Sequence, residues 1–438
     1  MAQYNPGTLD PLFGSEGIAP IPDLLPIRSS ETLQVRPATL DSDGSFVCGG
    51  YASADGLFTD FRFTRLFSDG RWDEATGHVL PPMPGATIEL VNNFEAIVPI
   101  HQGGRDGYLA VSRPVYQRPK ENIYHLAVAK LDRNFQPWGN FGDNGFAVLP
   151  PPEAETDAVS DIKPFEVKPN AEPLATDYRG AAKAGFANGL IRVIFQGIRE
   201  TAQSLTYTTY LALLDPDTGE LPPTKGLRAL PRINESNVIP YRVEFHDDGS
   251  FLVLGLAGDE IILMRCTAEG ELDARLDGRG YKAFPVRGNN FGMATDRKGR
   301  IWLSSSGNFS LHPTIVYCFN ENGSPCAEFN GGNALVLLWK DPDNPMLRLD
   351  HLKLDSQGRV ILAGTRQDKE AEGPFIAFRL EVVRLLPDGS RDMKFGDEGF
   401  AIQDPSLSAA NDLYVSEDGI RVLSLTTQFY EVVAKFQS

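Results

Sequence analysis

Seven short turns punctuate this chain: Asp43-Gly44, Asp106-Gly107, Asn188-Gly189, Asp248-Gly249, Lys298-Gly299, Gln357-Gly358 and Asp418-Gly419. Their glycines stand 63, 82, 60, 50, 59 and 61 residues apart. A unit of about that length is a few strands that cannot enclose a core alone, so repeated units must stack on one another. Each turn opens into an apolar, strand-forming run, as in Phe251-Leu252-Val253-Leu254 and Val360-Ile361-Leu362-Ala363. Asp-Gly and Asn-Gly between such runs mark two-residue hairpins, because these residues tolerate the positive φ that tight turns demand. A third run follows each hairpin, at residues 61–66, 126–131, 210–214, 261–266, 315–319, 382–386 and 430–436.

After the third run comes Leu-Asp-x-x-Phe-Gly-x-x-Gly or a worn copy of it. The clear copies are Leu9-Asp10-Pro11-Leu12-Phe13-Gly14-Ser15-Glu16-Gly17, Phe141-Gly142-Asp143-Asn144-Gly145 and Asp392-Met393-Lys394-Phe395-Gly396-Asp397-Glu398-Gly399. Residues 72–77, 272–280 and 329–332 are weaker forms. The Phe supplies apolar surface and the glycines allow close backbone approach, so the motif reads as a packed turn opening a fourth strand, structural rather than catalytic. In these features the chain resembles the delta-60 repeat proteins, from Leu9 to Phe436. The resemblance implies a β-propeller and no particular activity, since a propeller is a scaffold for many functions.

The last patterned segment, residues 430–436, is of the third-strand type, and the first, residues 9–21, is of the fourth. The expected fold is therefore all-β: a seven-bladed β-propeller of four-stranded blades, closed by the N-terminal strand completing the C-terminal blade. Such closure protects strand edges. The whole of 1–438 reads as one domain, with 151–179 an acidic, Pro-rich insertion loop within it that explains the 82-residue gap.

With 58 acidic and 41 basic residues, the formal charge of −17 opposes nucleic acid and anionic lipid. No 18-residue apolar run exists, so membrane insertion is not expected. Residues 1–7 lack the basic and apolar regions of a secretory signal, which suggests cytoplasmic residence or export by another route. Cys48, Cys266, Cys318 and Cys326 show no paired spacing and read as buried free thiols.

In up-and-down blades the short turns gather on one face. The long segments, residues 22–34, 81–94, 114–122, 151–178, 339–346 and 366–374, gather on the other, where function is expected. Near the channel mouth on that face, first-strand starts and second-strand ends bring together Arg36, Asn93, Tyr178, Arg199, Arg242, Asn290, His351, Arg366 and Asn411, candidate ligand-binding residues for a polar or anionic group. None of the local signatures of metalloproteases, serine hydrolases, phosphate loops or zinc sites occurs. No cofactor or metal is expected, and no catalytic residue is assigned. Asp41-Ser42-Asp43-Gly44 lacks the later ligands of a calcium loop and reads as turn chemistry. The expected function is a non-catalytic platform for a protein partner, or for a glycan or small polar ligand. The alternative is a propeller enzyme of hydrolase or lyase type, with His351 or acidic residues at the channel mouth as acid and base.

Overall fold

The computed structural model describes residues 6–21, 35–54, 57–73, 78–79, 94–102, 105–112, 115–118, 121–124, 126–149, 182–201, 204–223, 226–284, 290–307, 313–337, 347–368, 377–401, 406–426 and 431–438. They form a seven-bladed β-propeller of antiparallel blades. From the channel outward, the innermost strands of blades 1 to 7 are Val35–Leu40, Phe94–Gln102, Lys183–Ala187, Val238–Phe245, Asn290–Thr295, Leu347–Leu354 and Leu407–Ser416. The fourth strand of blade 7 is Ile18–Pro20, paired antiparallel with Glu431–Phe436 through Ile18↔Ala434, so the N-terminal strand closes the ring. In blade 6 the fourth position is held by the bridge Val383↔Phe400 and the Ala401 N–H bond to Val382 O, 2.8 Å. No helix among the described residues is long and apolar enough to cross a membrane.

The apolar runs are continuous because each blade is covered on both faces. Successive side chains of a strand point to opposite faces. Phe251 and Val253 therefore pack into the seam between blades 3 and 4, while Leu252 and Leu254 fill the seam between 4 and 5. Val360 and Leu362 likewise serve the seam of blades 5 and 6, and Ile361 and Ala363 that of 6 and 7. Seven apolar clusters result, one per seam.

The Phe-Gly motif is the clasp between neighbouring blades. Phe13, Phe141, Phe329 and Phe395 are 0–1% exposed, each in the seam with the following blade. The next residue donates its N–H to that blade's outer turn, Gly14 to Asp69 O at 2.8 Å, Gly142 to Thr218 O at 2.7 Å and Asn330 to Asp388 O at 2.9 Å, or, for Gly396, to Pro6 O at 2.7 Å on the segment before the closing strand. That position takes φ between 46° and 56° in all four, which explains why Gly is replaced by Asn in the worn copy. The Asp of the motif pairs with a cation on the third strand, as in Asp10 with Lys435 (2.9 Å), Asp273 with Arg265 (3.1 Å) and Asp392 with Arg384 (2.9 Å).

Two details of the turn reading need correction. The second hairpin does not turn at Asp106-Gly107, which lies inside the strand Arg105–Ser112. Gly107 is small because a Cβ there would come 2.2 Å from Leu131 O on the neighbouring strand. The turns are also not uniformly of two residues. In blade 1, Asp41 N–H bonds to Ser45 O and Gly44 N–H to Asp41 O, which makes a three-residue loop, and blades 4, 5 and 6 repeat it. Within this turn Ser42 N–H donates to Asp41 Oδ1 at 2.7 Å and Ser45 N–H to Asp43 Oδ1 at 2.8 Å, while Asp41 also accepts from the Tyr108 hydroxyl of blade 2 at 2.7 Å.

Of the long segments, residues 114–122 fall on a hairpin, Val115–Arg118 with Glu121–Tyr124. It leaves blade 2 and pairs with blade 3 through Arg199↔Ile123 and Glu200↔Asn122. The innermost strand of blade 3 pairs only with residues 190–194. At the long-loop end, the inner edge of blade 3 is thus supplied by its neighbour. The segments 22–34, 81–93, 151–178 and 339–346 lie outside the described residues, as does the rest of the insertion to 179.

Candidate functional site at the channel

Five of the seven innermost strands carry register shifts toward their long-loop ends, at Val35/Ala38, Phe94/Ala96, Pro240/Arg242, Leu349/His351 and, twice in blade 7, Leu407/Ala409 and Ala410/Asp412. A bulge re-aims side chains and breaks the strict alternation of faces. In blade 6, Leu349 and Leu352 both pack into the seam with blade 5, so the two residues between them, Asp350 and His351, turn the other way.

Beside these bulges lies a polar cluster with members from blades 4 to 7 and a contact to blade 1. Arg348 donates from Nε and Nη2 to Asp350 Oδ2 at 3.1 and 2.8 Å, and from Nη2 to Asn290 Oδ1 at 2.8 Å. Arg242, from blade 4, donates to Tyr241 O at 3.0 Å and reaches over blade 5 to Asp350 O at 3.4 Å. The His351 imidazole stands between two carboxylates, with Nε2 3.6 Å from Asp350 Oδ1 and Nδ1 3.7 Å from Asp412 Oδ1. The Tyr414 hydroxyl lies 2.6 Å from Asp412 Oδ2 and 2.8 Å from Ala38 O of blade 1, and its one proton serves one of them at a time.

The electrostatics give these groups distinct characters. Burial, with the Arg242 and Arg348 charges, pushes His351 below the ordinary imidazole value despite the two carboxylates, so the ring is neutral at pH 7. Burial works against the charge of Asp412, but His351, Lys183, the Tyr414 hydroxyl and Lys353 outweigh it and hold the carboxyl below its usual range. Asp412 is 43% exposed while His351 is 15% exposed, so water in the channel reaches the carboxylate beside the ring. Burial and the Asp412 charge push the Tyr414 phenol well above its usual value, which leaves it a hydrogen-bonding group.

Of the sequence candidates, Arg242, Asn290 and His351 are brought together here. Asn411 is exposed on the same strand, next to Asp412. Arg366 is directed to Glu381 of the third strand, Nε to Oε2 3.7 Å. Arg36 and Arg199 lie on strands, at the inner edge of blade 1 and opposite Ile123 respectively, with side chains outside the described residues. Asn93 and Tyr178 are also outside them. Asp350, Asp412, Arg348 and Lys183 were not among the candidates. One sequence signal marks two of them: in Leu347-Arg348-Leu349-Asp350-His351-Leu352 the leucine alternation slips by one residue. Among the described residues no group of three or more potential ligands is placed to hold a metal.

No protein-family model matches the chain. No curated protein matches it. Solved structures do, at low identity. An α-L-arabinofuranosidase of Fusarium graminearum bound to an iminosugar inhibitor is 10% identical, with 84% of this chain and 97% of that one covered and a TM-score of 0.45. A sialidase of Streptococcus pneumoniae is 12% identical, with 93% and 69% covered and a TM-score of 0.39. A sialidase of Trypanosoma rangeli in complex with sialic acid is 13% identical, with 98% and 59% covered and a TM-score of 0.38. The expectation of a non-catalytic protein-binding platform is corrected at this point. The similar structures are, by name, an arabinofuranosidase and two sialidases, which agree with the hydrolase alternative rather than with the platform.

Proposed function

We propose that the protein is a glycan-directed hydrolase whose site is the channel mouth. The observation that carries the reading is the placement of the His351 ring between Asp350 and Asp412, the second of them 43% exposed. A neutral imidazole takes a proton from water, and the two carboxylates stabilise the imidazolium that forms, as a buried acid does for a catalytic histidine. The contacts of 3.6 and 3.7 Å are longer than hydrogen bonds, and such contacts tighten once charge develops. Arg348 fixes Asp350, which makes Asp350 a positioning residue for the ring. Arg242, whose guanidinium reaches Tyr241 O and Asp350 O, adds a positive charge beside the ring suited to a polyhydroxylated or anionic sugar. The delta-60 repeats, retained as part of this proposal, supply the frame.

The test is release of reducing ends from 4-nitrophenyl glycosides and from neutral and acidic polysaccharides, beginning with arabinofuranosides and sialosides. Replacing His351→Gln or Asp412→Asn lowers kcat by ~10²–10⁴-fold in a protein that still melts cooperatively. Turnover that survives both changes, or no turnover on any sugar by the folded protein, overturns the proposal. An unsaturated sugar at the new non-reducing end, formed together with the new reducing end, would move the chemistry from hydrolase to lyase.

A further inference from the structure

In four blades, a cation on the third strand is bridged to an Asp at the start of the Phe-Gly motif: Arg65 to Asp73 (3.4 Å), Arg265 to Asp273 (3.1 Å), Arg384 to Asp392 (2.9 Å) and Lys435 to Asp10 (2.9 Å). Blade 2 keeps the cation and replaces the acid by an aromatic ring, with Lys130 Nζ 4.1 Å from the centre of Trp138. In blade 5 the same two positions are Cys318 and Cys326. The bridge Phe319↔Pro325 sets them directly opposite one another, and the Cys326 N–H donates to Cys318 O at 3.0 Å. Both residues are buried, 5% and 2% exposed. Arg300 Nη1 lies 4.0 Å from Cys326 Sγ.

We propose that Cys318 and Cys326 are an oxidation site, closing a disulfide that joins the third strand of blade 5 to its Phe-Gly turn. Directly opposed residues of antiparallel strands have Cα atoms roughly 4.5–5.5 Å apart, inside the roughly 4.4–6.8 Å window of disulfides. The substrate class is a disulfide oxidant. One cysteine thiolate attacks the oxidant's S–S bond, forming a mixed disulfide and releasing one small thiol. The second cysteine thiolate then attacks the protein sulfur, forming Cys318–Cys326 and releasing the other small thiol. Two protein thiols are oxidised, one oxidant disulfide is reduced, and the cysteine protons pass to the two leaving thiolates. Burial pushes the Cys318 thiol up, so exchange runs through opening of the turn at residues 320–324 or during folding, and it is slow in the closed blade. The bond does in blade 5 what the ion pair does elsewhere, without dependence on salt or pH.

Incubating the full chain with oxidised glutathione at mildly alkaline pH, in the folded state and during refolding, tests this. Titratable thiols under denaturing conditions fall from four to two, the intact mass drops by about 2 Da, and a digest links 318 to 326. The melting temperature rises by about 2–4 °C and returns on reduction. Cys318→Ser and Cys326→Ser each abolish the link, whereas Cys48→Ser leaves it. Four thiols persisting after refolding with the oxidant, a stable glutathione adduct at either position, or a link involving Cys48 or Cys266 would overturn it.

Discussion

His351 is the residue whose protonation decides the chemistry proposed for the channel. Its pKa is lowered in the folded protein, by burial first and by Arg242 and Arg348 after that. A base must be neutral to work, so kcat/KM falls on the acid side, with a limb below the ordinary imidazole value near 6.5. A profile with no acid limb between pH 7 and 4 contradicts this role. Asp418 shows the opposite charge type. Burial raises it, but hydrogen bonds from Arg421 and Ser416 and the charges of Arg421 and Lys435 outweigh that and hold it far below the usual carboxylate range. A depressed carboxyl stabilises above its unfolded value, about 3.8, and the contribution is lost as pH falls through the folded value. Asp418→Asn should therefore melt below the wild type at pH 7, with the difference shrinking under pH 4.

At the scale of the element, the Phe-Gly clasp sets stability. Phe13, Phe141 and Phe395 each fill a seam, so Phe→Ala at any of them should cost ~3–5 kcal/mol in denaturant unfolding. Loss of turnover at a substrate-saturated site without that destabilisation would count against the structural reading of the motif. The strands and the clasp were legible in the sequence because both rest on local pattern: alternate faces of a doubly covered strand, and a turn that needs Gly or Asn. The channel was legible only in part. Arg242, Asn290 and His351 follow from blade geometry, but a bulge is a slip of one residue, and Asp350 and Asp412 owe their direction to such slips. The hairpin of residues 115–124 was read as a loop because its partner, Arg199 and Glu200, lies in another blade, and no local pattern encodes that pairing.

For the molecule as a whole, the ring is stable only when every seam is closed. Removing residues 1–21 strips Phe13, Ala19 and Ile21 from the seam of blades 7 and 1 and exposes the edge of Glu431–Phe436. The truncated chain should aggregate or melt well below the full protein, and an unchanged, monomeric melt would refute the closure. Shortening 151–173 is the contrasting case, and its melt should stay within about 2 °C, since halving a loop changes closure entropy by only about 0.6 kcal/mol. The closing strand also imposes an order in time. Ile18 is made well before its partner Ala434, so during synthesis at roughly 5–20 residues per second the closing strand waits unpaired for on the order of 20–80 s. Throughout that interval Phe13, Ala19 and Ile21, which fill the last seam of the finished ring, lack the blade that will cover them.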